Sequence, residues 1–409
     1  MLKANITNAQ DSTLSIGGQI SYDNISYFNS QKGKVNSRNE GLLQLNFGSA
    51  MSKSTQWKAI FELREDNSDK SRNRAWIDEL WIKQKLGKLD LTIGKQILAW
   101  GTADGFNPVN NINPVDYSDM LDTENERIGA YGIRTQLFFN SADFDFFWAP
   151  IASMGKLPNI NSRWFPQPTA IGISMELFAM GLEMKVNEIL PEPNLKNGEF
   201  GVRFRKRFSI ADIGVSYYNG FDHLPEFYID STQLMLPTPQ LVLNGVFKRQ
   251  HVVGSELTVI LPYGINLRNE AALFIPAQSN PQLNRFVQVV VGVDRSFTIS
   301  STSYLVILQY IGDFNADGKA YDSYDIRHIF KNTLMANFEI NLSNGLSLNA
   351  AAITYLNGNG FILRPEINYL TSKGVKLCLR FDLIEGSNNS FFGMYSFNDR
   401  IQGKVVYSF

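Results

Sequence analysis

Long apolar runs are missing from this chain. Nowhere do about 18 apolar residues follow one another, which excludes helical membrane spans. Cysteine is almost absent: Cys378 alone rules out internal disulfides and thiolate metal clusters. The only histidines are His223, His251 and His328, none with a nucleophile or carboxylate at a catalytic spacing, so an enzyme is not expected. A formal net charge of −1 leaves no basic field to draw nucleic acid, and no nucleic-acid partner is expected. Charged residues make up 19 % of the chain, below the roughly 25 % usual for soluble domains. Linkers are missing too, although 409 residues would normally divide into two or three cores.

What the chain does have is aromatic residues, 12 % of the total, and period-two alternation along most of its length. Strand-like segments fall at 13–27, 39–48, 55–64, 74–84, 88–98, 129–139, 142–149, 199–207, 210–219, 246–260, 263–274, 284–296, 300–311, 328–342, 345–356, 361–371, 374–385 and 396–408, roughly 18 in all. Lengths near ten residues suit tilted membrane strands. Every second connection is short: Leu86-Gly87, Asn140-Ser141, Ser209-Ile210, Pro262-Tyr263, Asn344-Gly345 and Lys373-Gly374. The others are long, at 99–128, 150–198, 220–245, 275–283, 312–327 and 386–395. Sorting into tight turns at one end and long loops at the other is the habit of outer-membrane barrels. The final strand, Val405-Val406-Tyr407-Ser408-Phe409, stops on an aromatic residue, the usual ending of such a barrel. The expected fold is therefore all-β: a transmembrane antiparallel β-barrel of about 16–18 strands with long extracellular loops. An N-terminal tail at 1–12 precedes a single barrel at 13–409. The amino terminus has no apolar h-region, so export implies a signal peptide that is not part of this sequence.

Alternation also assigns faces. Phe144, Phe146 and Trp148 oppose Asp143, Asp145 and Phe147, and Phe200, Val202 and Phe204 oppose Arg203, Arg205 and Arg207. Ile265, Leu267, Ala271 and Leu273 oppose Asn266, Arg268, Glu270 and Ala272; Leu377, Leu379 and Phe381 oppose Lys376, Cys378, Arg380 and Asp382. Arg or Lys facing mid-membrane hydrocarbon costs about 2–4 kcal/mol, so the polar rows face inward. Candidate pore-lining residues are thus Arg134, Asp143, Asp145, Arg203, Arg205, Glu256, Arg268, Glu270, Arg380 and Asp382. Asp143 and Asp145 are placed beside Arg134 and Arg203, and Glu256 beside Arg268. With both signs present, no strong anion or cation selectivity is expected, and wall pairing is as good a reading of these charges as selectivity.

Three loops carry further signals. Residues 99–128 hold two Asn-Pro units that set successive turns, and a constriction built from Trp100, Asp104, Asn107, Asn113 and Asp116 competes with an ordinary surface loop. In 150–198, Leu177, Met180, Met184 and Leu190 recur at roughly helical spacing, as in an amphipathic helix that plugs the lumen or packs the loop on the barrel. Residues 313–318 read DFNADG, so Asp313, Asn315 and Asp317 open a candidate Ca²⁺ loop spanning 313–325. Its twelfth position holds Tyr324 where a Glu is needed, and a polar turn without cofactor is the default.

The stretch from Trp76 to Asp116 resembles a signature of DUF1302-like outer-membrane barrels, G-[RK]-Q-x-x-x-W-G followed by N-x-x-N-P-x-D. It is carried here by Gly94, Lys95, Gln96, Trp100, Gly101, Asn111, Asn113, Pro114 and Asp116. Phe147, Trp148, Pro150, Leu157, Pro158, Ser162, Arg163 and Trp164 extend the likeness, which covers roughly 74–207. The resemblance implies a bacterial outer-membrane protein, with membrane lipid and a transported solute or lipid-like ligand as partners. Some members of that group look like outer-membrane partners of envelope exporters, which implies exporter components as further partners. The expected function is passage of a small solute or hydrophobic, lipid-like compound across the outer membrane. The alternative is a plugged barrel acting as scaffold or accessory subunit of an export complex.

Overall fold

The computed structural model describes residues 14–30, 34–50, 52–122, 127–166, 173–277, 284–317, 326–342, 344–388 and 390–409. The tail at 1–12 lies outside them, as do Asp322, Tyr324 and Asp325 of the candidate calcium loop. Eighteen strands form one closed antiparallel sheet. The first half is β1 (Leu14–Tyr27), β2 (Ser37–Ala50), β3 (Thr55–Asp66), β4 (Arg74–Leu86), β5 (Leu89–Gln96), β6 (Ala130–Phe138), β7 (Ala142–Ala149), β9 (Glu199–Arg207) and β10 (Ala211–Phe221). The second half is β13 (Arg249–Leu261), β14 (Ile265–Pro276), β15 (Phe286–Ile299), β16 (Thr302–Asn315), β17 (Thr333–Asn341), β18 (Leu346–Tyr355), β19 (Gly360–Leu370), β20 (Val375–Gly386) and β21 (Arg400–Ser408). Each strand pairs with the next along the chain, and β21 closes on β1 with Val405 opposite Tyr22. Phe409 seals the join, exchanging backbone hydrogen bonds with Gly18 at 2.9 and 3.0 Å. Closure leaves no barrel edge to pair with another chain.

Alternation explains why the sheet closes this way. Ile20, Tyr22, Leu63, Leu80, Phe144, Phe146, Ile367, Leu377 and Leu379 are exposed on the outside. Asp23, Glu62, Arg64, Asp66, Asp143, Asp145, Glu256, Glu270 and Asp382 are buried inside. That inverts the arrangement of a water-soluble protein and is the pattern of a transmembrane β-barrel, with hydrocarbon outside and polar groups within. Tight turns and both described chain ends lie at one end of the barrel, and the long loops at the other. Gly87, Gly264, Gly345 and Gly374 make tight turns at positive φ, where a side chain would be strained.

Two elements differ from the sequence-based expectations. The helical stripe of 150–198 is one short helix, α1 (Met175–Ala179), closed by Gly181 at φ +64°. Met184 then opens a strand, β8 (Met184–Ile189), instead of continuing the helix. The β-branched Val186 and Ile189 favour extended backbone, and β8 lies parallel to β12 (Leu241–Val246), itself antiparallel to β11 (Glu226–Ile229). This small sheet, outside the barrel sheet, buries Ile173, Leu241 and Leu243 against Leu177, Met184 and Val186. The segment expected as one strand at 246–260 is accordingly split, since Val246 ends β12 and the barrel strand begins at Arg249.

Candidate functional site

The strand β5 leaves the wall at Gln96, and residues 97–122 and 127–129 run through the lumen before the chain returns as β6. A small set of residues makes this turn. Gly94, at φ +131°, lies so close to the Leu80 carbonyl that a Cβ there would sit 2.1 Å from it. The Lys95 ammonium caps the Ile77 carbonyl at 2.6 Å and lies 5.0 and 5.4 Å from the rings of Trp76 and Tyr131, filling the wall where β5 stops. Asn113 staples the base of the loop. It accepts from Leu98 N–H at 2.6 Å and donates to the Gln96 and Ile128 carbonyls at 3.1 and 2.9 Å. Three backbone groups that would otherwise be buried without partners are thereby satisfied.

From that base the loop makes two lobes. In the first, Trp100, 1 % exposed, packs over Gly201 and Ile112 and donates from Nε1 to Asp145 at 3.1 Å. Arg134 holds the same carboxylate. Glu270 accepts from the backbone N–H groups of Thr102 and Ala103, the latter at 2.6 Å. Arg268 donates to the Thr102 carbonyl at 3.0 Å while paired with Asp294 at 2.5 Å. Asn107 donates to the Trp100 carbonyl at 2.7 Å. At the tip, in the amide orientation that satisfies both groups, Gln309 donates to the Asp104 carbonyl at 2.6 Å and accepts from its N–H at 3.1 Å.

The second lobe, Asp116 to Asp122, lies against β1–β4 and β19–β21 through buried arginines. Asp116 meets Arg74 at 2.9 Å; Asp119 meets Arg38 at 2.8 Å and Arg400 at 2.7 Å; Asp122 meets Arg72 at 3.2 Å. Arg72 also grips Glu40 at 2.7 Å, and Arg364 donates to the Leu121 carbonyl at 2.8 Å. Burial pushes the Asp119 carboxyl upward, but Arg400, Arg38 and Arg72 outweigh it and hold the group well below the usual carboxylate range.

The remaining inner-row candidates form wall pairs. Asp143 meets Arg205 at 3.3 Å and Arg207 at 3.1 Å. Glu256 meets Arg203 at 2.5 Å and not Arg268, which reaches Asp294 instead. Register decides this outcome: Glu256 stands opposite Glu270, and Arg203 reaches it across the short Gly214 and Ser216 of β10. Asp382 sits between Arg364 at 2.9 Å and Arg400 at 2.7 Å, with Arg380 at 3.4 Å. Of the candidate calcium residues, Asp313 is bonded to His328 at 2.7 Å and Gln288 at 3.0 Å, and Asp317 pairs with Arg285 at 2.6 Å. Among the described residues no three candidate metal ligands converge.

Between the loop and the opposite wall lies a chamber of about 800 Å³. Its wall carries a stripe that sequence reasoning missed. Gln309, Met335, Ile353, Ile362 and Ile384 are successive register partners across β16–β20, all pointing inward. Phe391 and Phe392 of α2 (Phe391–Met394), with Trp164 and Tyr395, enclose it on the loop side. Trp164 is held over the barrel by its neighbour Arg163, which donates to the Val35, Phe397 and Asn29 carbonyls at 2.7, 2.9 and 2.8 Å. His223, also at the chamber, is half-buried; desolvation depresses its pKa to about 4 against the pull of Asp222, so the ring is neutral at pH 7.

Residues 2–369 match a family profile described as "Protein of unknown function (DUF1302)". The chain belongs to the DUF1302 family. The G-[RK]-Q-x-x-x-W-G stretch of this DUF1302 chain is the machinery that turns β5 inward, with Gly94, Lys95 and Gln96 at the wall and Trp100 and Gly101 at the first lobe. Among curated proteins none matches. Solved porins share the fold. Acinetobacter baumannii OccAB4 is 10 % identical with a TM-score of 0.54, covering 98 % of this chain and 100 % of its own. Pseudomonas aeruginosa OccK2 (OpdF), solved in complex with glucuronate, is 11 % identical with a TM-score of 0.53 and 97 % coverage of both chains. Pseudomonas aeruginosa OccK11 (OpdR) is 9 % identical with a TM-score of 0.51, covering 97 % of this chain and 95 % of its own. At such identities the likeness establishes a porin-like outer-membrane barrel fold.

Proposed function

We propose that this DUF1302 chain is a channel of the bacterial outer membrane that passes a solute with a substantial hydrocarbon surface, without covalent chemistry. The aliphatic stripe of Met335, Ile353, Ile362 and Ile384 carries this reading. The interior of a water-filled porin is polar, and apolar side chains on an inner row gain nothing from facing bulk water. Facing a ligand's hydrocarbon, they recover about 25 cal/mol for each Å² covered. The loop at 97–129 narrows the barrel on the charged side, which leaves the route along β16–β20. OccK2, captured with glucuronate, holds a hydrophilic sugar acid; this chain's chamber favours a different class of cargo.

A plugged scaffold is the second reading, favoured by the density of buried ion pairs that fix the second lobe. Solute flux into proteoliposomes separates the two. A channel admits an amphiphilic solute faster than a sugar of equal size, whereas a plug admits neither and shows no stepwise current in planar bilayers.

A further inference from the structure

Below the aliphatic stripe the inner wall changes character within one register step. Asn337, Ala351 and Arg364 form the next row toward the tight-turn end, and Glu339, Asn349 and Glu366 the row after it. Successive inner rows lie about 7 Å apart along a strand. The chamber spans this boundary, since Ile353 and Ile384 line it together with Asn337, Asn349, Glu366 and Arg380. Its other end is aromatic, with Trp164 and Tyr395 at 5.3 Å and Tyr355 stacked on Phe392 at 4.5 Å.

Charges bordering the polar end are matched to one another. Arg364 is paired with Asp382 at 2.9 Å and Arg380 lies 3.7 Å from Glu366; at the long-loop end Arg327 pairs with Asp222 at 2.5 Å. By contrast the Asn337 side-chain oxygen is buried without a hydrogen-bond partner, as is the indole N–H of Trp164 at the far end. A buried acceptor without a partner costs roughly 1–3 kcal/mol, which a donor on a ligand would relieve.

Building on the channel reading, we infer that the chamber is a binding station for an uncharged amphiphile. The hydrocarbon body lies along the aliphatic stripe, and a hydroxyl- or amide-bearing head points toward the tight-turn end, donating to Asn337. A charged head finds its counter-charges already engaged. A volume of about 800 Å³ is ample for one such molecule, since ligand sites run from roughly 300 to 1,000 Å³.

Trp164 reports orientation directly. The full-length barrel in lipid nanodiscs is titrated with a dodecanol brominated at its terminal carbon, and with the isomer brominated beside the hydroxyl. The same titrations on Trp164→Phe subtract quenching of outward tryptophans such as Trp148. Saturable, Trp164-dependent quenching by the terminally brominated alcohol, with little from its isomer, is expected. Competition by unlabelled dodecanol should exceed that by dodecanoate or dodecyltrimethylammonium. Asn337→Leu should weaken the alcohol roughly threefold to tenfold without lowering the barrel's melting temperature. Equal quenching by both isomers, or tighter binding of either ion, would overturn the inference. Amphiphile flux that persists without oriented quenching would leave the channel standing and remove the station. Loss of both flux and quenching would remove the channel as well.

Discussion

The two sides of this barrel's interior solve opposite problems. Along β1–β4 and β19–β21 the inner face is a lattice of buried arginines and carboxylates, and the second lobe of the inward loop is bolted to it. Arg400 alone reaches both Asp119 and Asp382 at 2.7 Å. Along β17–β20, one row higher in the wall, the inner face presents side chains with no polar atoms, and the tip of the first lobe meets this stripe at Met335 and at neighbouring Gln309 of β16. Buried ion pairs are poor sources of net stability but expensive to break singly, which makes them good fixtures. Aliphatic side chains hold nothing in place but, on the proposed reading, offer a ligand's hydrocarbon a surface to cover. On the proposed reading, one side sets the bore and the other selects the cargo.

Breaking the fixed side should have the largest effect. Asp119→Ala leaves Arg38 and Arg400 facing a void, and losing one partner of a buried pair costs about 3–5 kcal/mol; a lower melting temperature and a larger, noisier single-channel conductance are expected. Asn113→Ala removes the staple at the loop base and should cost about 1–3 kcal/mol, with conductance fluctuations between two levels as the loop base frays. Ile353→Asn, on the aliphatic side, should leave thermal stability within about 1 kcal/mol, since lumen substitutions chiefly tune selectivity, while amphiphile flux drops severalfold and sugar flux rises.

Acid should act least within the physiological range. The Asp119 carboxyl is held well below its ordinary value, so the stability it contributes is fully present above the unfolded carboxylate pKa of about 3.9 and is lost only as pH falls toward the folded value. Conductance recorded from pH 7 down to pH 5 should therefore stay level, opening only below about pH 4. A rise already at pH 6 would show that the carboxylate is not held by its arginines.

The barrel itself was legible because lipid on one side and water on the other impose a period of two on every strand, and because loop lengths sort by end. Residues such as Asp143, Asp145 and Arg203 announce their face by alternation alone. Which carboxylate meets which guanidinium was not legible, since register is set by closure of the whole sheet; Glu256 reached Arg203 for that reason. The bolts of the second lobe were hidden further, because Arg38, Arg72, Asp119 and Arg400 are separated by as many as 362 positions and meet only when β21 joins β1. The aliphatic stripe escaped notice for a different cause. Ile353, Ile362 and Ile384 sit on inner rows among strands whose outer rows are equally apolar, so each looks like ordinary strand hydrophobicity until the register aligns them. In 150–198 a spacing shared by helix and strand concealed β8.

Flux selectivity tests the central claim most directly. Proteoliposomes carrying the intact chain are given, in parallel, a short-chain alkyl glycoside and a free sugar of the same molecular volume, and the same pair is run on Ile353→Glu. Faster uptake of the alkyl glycoside by the native chain, with that advantage abolished or reversed in the variant, is expected. Equal uptake of the two solutes by the native chain, or an unchanged ratio in the variant, would contradict a hydrocarbon-lined route along β16–β20.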